Sequence, residues 1–582
     1  MVDAEGDALC NMLPRLPEDE EAHVAGLSDG PESRTEIQKW LVPKLQVNSP
    51  YSATYRYLHN TTVAINRLPA ELLANILFLR HDLHTHKSSP SWTELMGICR
   101  HWRAIALSTA MLWTIITTRT TRTLSHLRVF LQRSGTALIN LDFQGRFGSS
   151  LATGKCEDLV PDFRPGILEA VEMHGERIQV LKISLAGPQD MIGFQDVLSL
   201  ISQKCSNLTT FRLFASTNSE FPPLDVSRFH ALRSLICDVP IRCNPSVAFL
   251  STLHVIDISA NMPVLDLLQF LRNCVALHDL SLMFDFEFTG APDIENDLAQ
   301  TDPHGTSSKV LLPSLRNLTL DGVRYRPMAD VLSKLSVSPR ANVQITYDPP
   351  SFVRDPPLLE TMPILLRACR DALSVAAGPG ALNIVNTTTV VSCTITGQDK
   401  EAWSISLRFR RFEAEAGSVG DAIRSVARDF SRLQIMELEV GAICPCIWMD
   451  SIEWRAALAA VPYVQKLSVT LDTSSDQLWL TLGQPSPTSP VVVPDMKELH
   501  CQLMLPMQLC VVDTKIEATI PLMSDSLAFR DQNQARIRKL RFHAAVKSPT
   551  DFVRETNIRQ ILGSFVDVLD VRMWTRDGHR HV

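Results

Sequence analysis

Two patterns of apolar and polar positions divide the chain. Residues 66–113 are helical in period. Pro69 stands where a first helical turn would begin, and its missing N–H costs nothing there; Glu71 follows in the turn that favours acids. Leu72, Leu73, Ile76 and Leu77 then repeat at helical spacing. Polar and turn residues from His81 to Pro90 interrupt. Ser91-Trp92-Thr93-Glu94 reads as a capping box, and Leu95, Ile98, Cys99, Trp102, Ile105 and Ala106 form one apolar stripe behind it. Ser108 to Trp113 closes the segment with more large apolar groups.

From about residue 135 onward the unit is apolar-x-x-apolar-x-apolar. It reads Leu138/Leu141/Phe143, Ile178/Leu181/Ile183, Leu208/Phe211/Leu213, Leu232/Leu235/Cys237, Leu253/Ile256/Ile258, Leu277/Leu280/Leu282 and Leu315/Leu318/Leu320. After an irregular stretch it returns as Leu433/Met436/Leu438, Val464/Leu467/Val469, Met496/Leu499/Cys501 and Ile537/Leu540/Phe542, with a weaker copy at Val566/Leu569/Val571. The alternation predicts strands with one buried face. Amphipathic helices are predicted between units, around Phe194–Ile201, Val264–Leu271, Ile423–Phe430 and Trp454–Val461. Strand then helix at this spacing resembles a leucine-rich-repeat solenoid, in which neighbours must stack because no unit buries both faces alone. Asn261 alone occupies the asparagine position of that repeat; Ala186, Ser216 and Pro240 stand there in other units. Polar, Pro-rich stretches at 287–310, 348–357 and 484–490 read as loop insertions.

The hydrophobic content of 45% and charged content of 20% are those of a folded protein with a large core. A formal charge of −7 argues against a general nucleic-acid binder. Residues 1–34 hold nine acidic residues against Arg15 and Arg34, which predicts a disordered tail, with one short helix near Ile37 to Leu41. The expected organisation is an acidic, mostly disordered leader over 1–61, a helical module over 62–118 and a repeat region over 119–582. The thirteen cysteines have no framework spacing, no signal peptide is legible, and no apolar run is long enough to span a membrane. These features predict reduced thiols in the cytoplasm or nucleus.

Leu68-Pro69-Ala70-Glu71-Leu72-Leu73, then Cys99-Arg100-His101-Trp102, then Leu112-Trp113 resemble the three separated elements of an F-box, in order. The resemblance implies an α/β protein with a short all-α F-box followed by a leucine-rich-repeat-like α/β solenoid with a mainly parallel sheet, of the kind found in fungal F-box families. It implies a non-catalytic substrate receptor of an SCF-type cullin-RING ubiquitin ligase. A Skp-family adaptor, and through it a cullin, would bind the F-box, and the repeats would hold a substrate protein. Carried over by position, Leu68, Pro69, Leu72, Ile76, Cys99, Trp102, Leu112 and Trp113 are the adaptor-contact candidates. So small a module has too little interior for so many large apolar groups. The alternative is that they form the core of a helical hairpin. A Skp-binding scaffold that assembles no ligase is the second functional expectation.

No constellation points to catalysis, a cofactor or a metal. Gly148 to Lys155 has five residues between its glycines and Cys156 after the lysine, which is wrong for a phosphate loop. His81, His84 and His86 read as a solvated loop, and Cys444-Pro445-Cys446 with His500 and Cys501 as structural thiols and a neighbour rather than a zinc site. Nucleophile-elbow, dinucleotide, His-Glu-x-x-His and kinase signatures are missing from the sequence.

Overall fold

The computed structural model describes residues 14–27, 31–47, 49–83, 99–118, 121–144, 164–185, 194–215, 224–226, 229–238, 241–242, 250, 252–259, 264–284, 309–322, 325–348, 358–373, 378–386, 390–397, 404–410, 418–442, 449–471, 475–485, 491–503, 512–546 and 552–575. The fold is α/β with mainly parallel strand pairing. The chain forms two compact units, one of Met1–Ile183 with Ser199–Asn207, the other of Ser184–Leu198 with Leu208–Val582.

The first unit opens with helices α1 (Glu18–Gly26), α2 (Pro31–Leu45) and α3 (Ser52–Thr62). The sequence predicts disorder over most of this leader; the described residues are helical instead. The reason is pairing that a charge count does not see. Glu20 is bonded to the Lys44 ammonium and accepts from the Tyr55 hydroxyl at 2.7 Å. Lys44 Nζ also lies 4.5 Å from the Trp40 ring centre, and Trp40 meets Tyr55 edge-on. Leu41 is fully buried beside them. Burial pushes the Tyr55 hydroxyl up to about 12, and the Glu20 charge adds to it. Helices α4 (Ala70–Leu83) and α5 (Arg100–Ser108) follow. The capping box read at Ser91 lies outside the described residues. Strand β1 (Ile115–Thr118) pairs in parallel with β2 (Ile139–Gln144), and β2 pairs with β3 (Ile178–Leu185). Helices α6 (Thr121–Arg133) and α7 (Arg164–His174) connect them. The boundary expected at residue 118 therefore falls inside this unit, because β1 is paired only once β2 is present.

In the second unit, β4 (Thr210–Ala215), β5 (Ser234–Cys237), β6 (Val255–Ser259), β7 (Asp279–Phe284), β8 (Asn317–Gly322) and β9 (Asn342–Tyr347) pair in parallel, each with the next in sequence. Leu280 and Leu318 are buried opposite each other in register. The irregular stretch then resolves into β10 (Gly378–Asn386), β11 (Val390–Gly397) and β12 (Ser404–Arg410). This meander enters in reverse, giving the order β9–β12–β11–β10–β13, with β11 antiparallel to both its neighbours. Parallel pairing resumes through β13 (Leu433–Ala442), β14 (Lys466–Leu471), β15 (Glu498–Leu503), β16 (Lys539–Val546) and β17 (Val568–Thr575). Two short side pairs, Leu224–Asp225 with Ile241–Arg242 and Val310–Leu312 with Leu335–Val337, accompany this ladder.

Helix α8 (Phe194–Lys204) spans the boundary between units. Beyond it, α9 (Val264–Arg272), α10 (Tyr325–Lys334), α11 (Leu358–Leu373), α12 (Ser418–Asp429), α13 (Ser451–Ala460), α14 (Ser475–Leu482), α15 (Val512–Gln532) and α16 (Phe552–Leu562) each pack on the next. At the start of α13, Asp450 accepts from the Glu453 amide while Glu453 reaches back, so two orphan donors are satisfied.

Strand entry is built the same way in unit after unit. One carbonyl accepts from two successive amides of the following strand: Arg233 O from His254 and Val255, His254 O from His278 and Asp279, His278 O from Arg316 and Asn317. Gln465, Lys497 and Arg538 do the same towards the C-terminus. A side-chain ladder crosses four strands at a single register, Asp279–Asn317–Asn342–Ser404, with links of 2.6, 3.4 and 3.1 Å.

Three predicted core positions are corrected, one of them Leu569 of the weak last copy, which is half-buried. Leu138 is exposed, and Ile139 takes its place ahead of Leu141 and Phe143. Met436 is half-exposed while Ile435 is buried, because the register slips there: Gly380 opposes Ile435 and Ala381 opposes Glu437, leaving Met436 as a bulge.

Candidate functional site

The eight adaptor-contact candidates fall into three groups. Trp102, Leu112 and Trp113 are buried, and with Leu73, Leu77, Ile105 and Ala106 they make one hydrophobic cluster. Leu68, Ile76 and Cys99 are half-buried and pack on it. Pro69 and Leu72 are exposed.

The cluster explains why the two tryptophans turn inward. The Trp113 Nε1–H donates to the Ala106 carbonyl at 2.8 Å, and the Trp102 Nε1–H donates to Asn66 Oδ1 at 2.5 Å. Asn66 in turn donates to the Asn60 carbonyl, so α3 and the short turn before α4 are tied to α5. A buried indole needs such a partner, and both have one. Phe130 of α6 meets Trp113 edge-on at 5.0 Å, and the Arg133 guanidinium lies over the same ring. In this packing Trp102, Leu112 and Trp113 are almost wholly enclosed within the chain.

Helix α4 carries a second, outward stripe. Leu73 and Leu77 face the cluster at 0% exposure, whereas Leu72 is 48% and Leu79 62% exposed, with half-buried Ile76 between them. Positions 72, 76 and 79 lie at i, i+4 and i+7, on one line along the helix. Ile65, just before Leu68, and Met111 are also exposed large apolar groups in this segment. Leu79, Ile65 and Met111 were not legible as surface residues. The available signal was that α4 has more large apolar residues than one face can hide.

His84 and His86, the Gly148–Lys155 stretch and Cys444-Pro445-Cys446 lie outside the described residues. Cys501 is buried, and burial pushes its thiol up to about 12. His500 Nε2 stands 3.3 Å from His543 Nδ1. Among the described residues no group of three or more acidic, histidine or cysteine side chains is arranged to hold a metal, and no helix is long and apolar enough to cross a membrane.

No protein-family model and no curated protein matches this chain.

Proposed function

We propose that this chain is a non-catalytic receptor in which an F-box-like segment, 62–118, docks a Skp-family adaptor and leucine-rich-repeat-like units beyond it hold a substrate protein for a cullin-RING ubiquitin ligase. The observation that carries the docking half is the outward stripe Leu72–Ile76–Leu79 on a helix whose other stripe already fills a core. Contiguous exposed apolar groups of this kind mark protein-contact sites. With the tryptophans withdrawn into the interior, Pro69, Leu72, Ile76 and Leu79 remain to meet the adaptor. The partner-holding half is supported by the long ladder of parallel strands, which offers one row of outward side chains per unit. Ubiquitin transfer belongs to partner subunits, and the place of action is the cytoplasm or nucleus.

The test is pull-down of a purified Skp-family adaptor by full-length protein. Leu72→Asp with Leu79→Asp is expected to abolish capture while leaving the melting temperature within about 2 °C, since exposed substitutions change stability little. Leu73→Ala serves as the contrast: it opens a cavity, costs about 2–5 kcal/mol and lowers the melting temperature. Undiminished capture by the double variant would place docking elsewhere. Adaptor capture without a cullin in the same complex would favour the scaffold over the ligase.

A further inference from the structure

The entry edge of the second unit's strands carries a row of cationic and imidazole side chains. The residue just before four consecutive strands is Arg233, His254, His278 or Arg316, each following the buried leucine that opens its unit. Their order is fixed by the backbone: His254 N donates to Arg233 O at 2.8 Å, His278 N to His254 O at 2.9 Å, and Arg316 N to His278 O at 2.7 Å. Each side chain therefore stands beside the next at the spacing between paired strands.

The exposed Arg233 and Arg316 guanidinium groups are the standing cations of the row, with the two imidazoles between them. His254 Nδ1 is 3.2 Å from the Ala276 carbonyl. A carbonyl only accepts, so Nδ1 carries the hydrogen; in the neutral ring Nε2 is then an acceptor, and only the imidazolium donates from both nitrogens. The His254 and His278 rings lie against each other with centres 5.0 Å apart. A cavity of about 460 Å³ opens at the same edge, lined by Thr209, His230, Arg233, Thr252 and His254 together with two alanines. Among the described residues no carboxylate lines it. Asp279, which follows His278, accepts from the Asn317 side-chain amide at 2.6 Å.

We infer that this edge docks an acidic peptide segment of a partner protein, its carboxylates lying along Arg233, His254, His278 and Arg316. The inference gives a chemistry to the substrate proposed above and rests on that proposal for its biological context. Three inter-strand steps of about 4.8 Å make the row about 14 Å long, which matches roughly four to five residues of extended chain at about 3.3 Å each. Arginine suits carboxylates because its planar fork offers paired donors. A nucleic acid fits less well. The whole chain carries a formal charge of −7, and the row offers no phenylalanine, tyrosine or tryptophan platform on which bases could stack.

The experiment is fluorescence anisotropy with full-length protein and a labelled peptide of five glutamates flanked by glycine and serine. A scrambled-charge peptide with alternating glutamate and lysine and a single-stranded RNA of eight nucleotides are run beside it. Saturable binding of the glutamate peptide that weakens with added salt is expected. Arg233→Gln with Arg316→Gln, both exposed, is expected to weaken it about tenfold with an unchanged melting curve. Arg538→Gln, at the equivalent position of a distant unit, is expected to leave it unchanged. Failure of the glutamate peptide to bind, equal binding by the double variant, or preferential binding of the RNA would each overturn the inference. Adaptor capture, measured on the same preparations, reports separately: its loss would not alter the peptide isotherm.

Discussion

Gln534 has a φ of 59°, in the left-handed region, two residues past the end of α15. The Ala535 amide bonds to the Arg530 carbonyl and the Gln534 amide to the Asp531 carbonyl, so Gln534 is the residue that lets the helix end. Its side chain is exposed and nothing packed is lost by removing it. Gln534→Gly is therefore expected to stabilise the protein by about 0.5–1 kcal/mol, measured by chemical denaturation; a loss of stability would mean that the side chain is held by a contact. The buried thiols act in the opposite direction at high pH. Burial pushes Cys205, Cys393 and Cys501 up to about 12 from an ordinary 9, and pushes Cys369 up as well. Above pH 9 the unfolded chain releases thiol protons that the folded chain keeps, so stability falls as pH rises from about 9 towards 12. Thermal melts between pH 8 and about 10.5 are expected to show this decline, and Cys393→Ala with Cys501→Ala to flatten it. Arg530 is a different buried group. It is fully enclosed and donates to the carbonyls of Val492 at 2.7 Å and Val493 at 2.8 Å, fixing a turn in which Val493 has a φ of 49°. Nothing in the residues around either position announces this pairing.

Single elements show how far sequence reaches. Where a strand pairs with its neighbours in parallel and without a slip, as at Leu277/Leu280/Leu282, the alternation alone places the buried face. It fails at Met436, because a bulge depends on the partner strand Gly378–Asn386 as much as on the residue itself. The meander β10–β12 was hidden for a related reason: its strands follow one another within a few residues in antiparallel pairing, so the strand–helix interval that marks the parallel units is missing. In α4 the composition gave the helix, but which leucine faces in is decided by α5 and by Asn66 holding Trp102. The apolar residues of α4 were therefore legible as a group, and which of them are exposed was not. His500 was legible only as a neighbour of Cys501, yet on β15 it pairs with His543 of β16. Burial lowers the proton affinity of His500, and His543 and Arg541 lower it further; burial, Arg572 and Arg541 do the same to His543 against the opposing pull of Asp570. The Lys466 charge also lowers it for His500, against the opposing pull of Asp570. As pH falls below 6.5 the unfolded chain takes up protons that this pair resists, so stability is lost on the acid side. Denaturation at pH 7.5 and 5.5 is expected to give a smaller difference for His543→Gln than for the parent protein.

For the whole molecule, the described packing sets where the chain can be divided. Strand β1 pairs with β2, and Phe130 covers Trp113, so a fragment ending at residue 118 leaves an open strand edge and an uncovered indole. Residues 1–118 alone are expected to aggregate, and residues 1–207 to be soluble and to melt cooperatively, as read by size-exclusion chromatography and circular dichroism. A soluble, helical 1–118 would show that the helices need neither partner. The reversed meander has a consequence for how the second unit reaches its native state. Along both parallel runs each strand finds its partner through a connection of modest length. Between them, Asn342–Tyr347 must wait for Ser404–Arg410, which arrives only after two intervening strands have turned back on each other. Bringing such distant segments together costs more loop entropy than any single step within either run. Refolding is then expected to proceed as two arrays that zip outward on their own, with the seam between β9 and β12 closing last and setting the slowest rate.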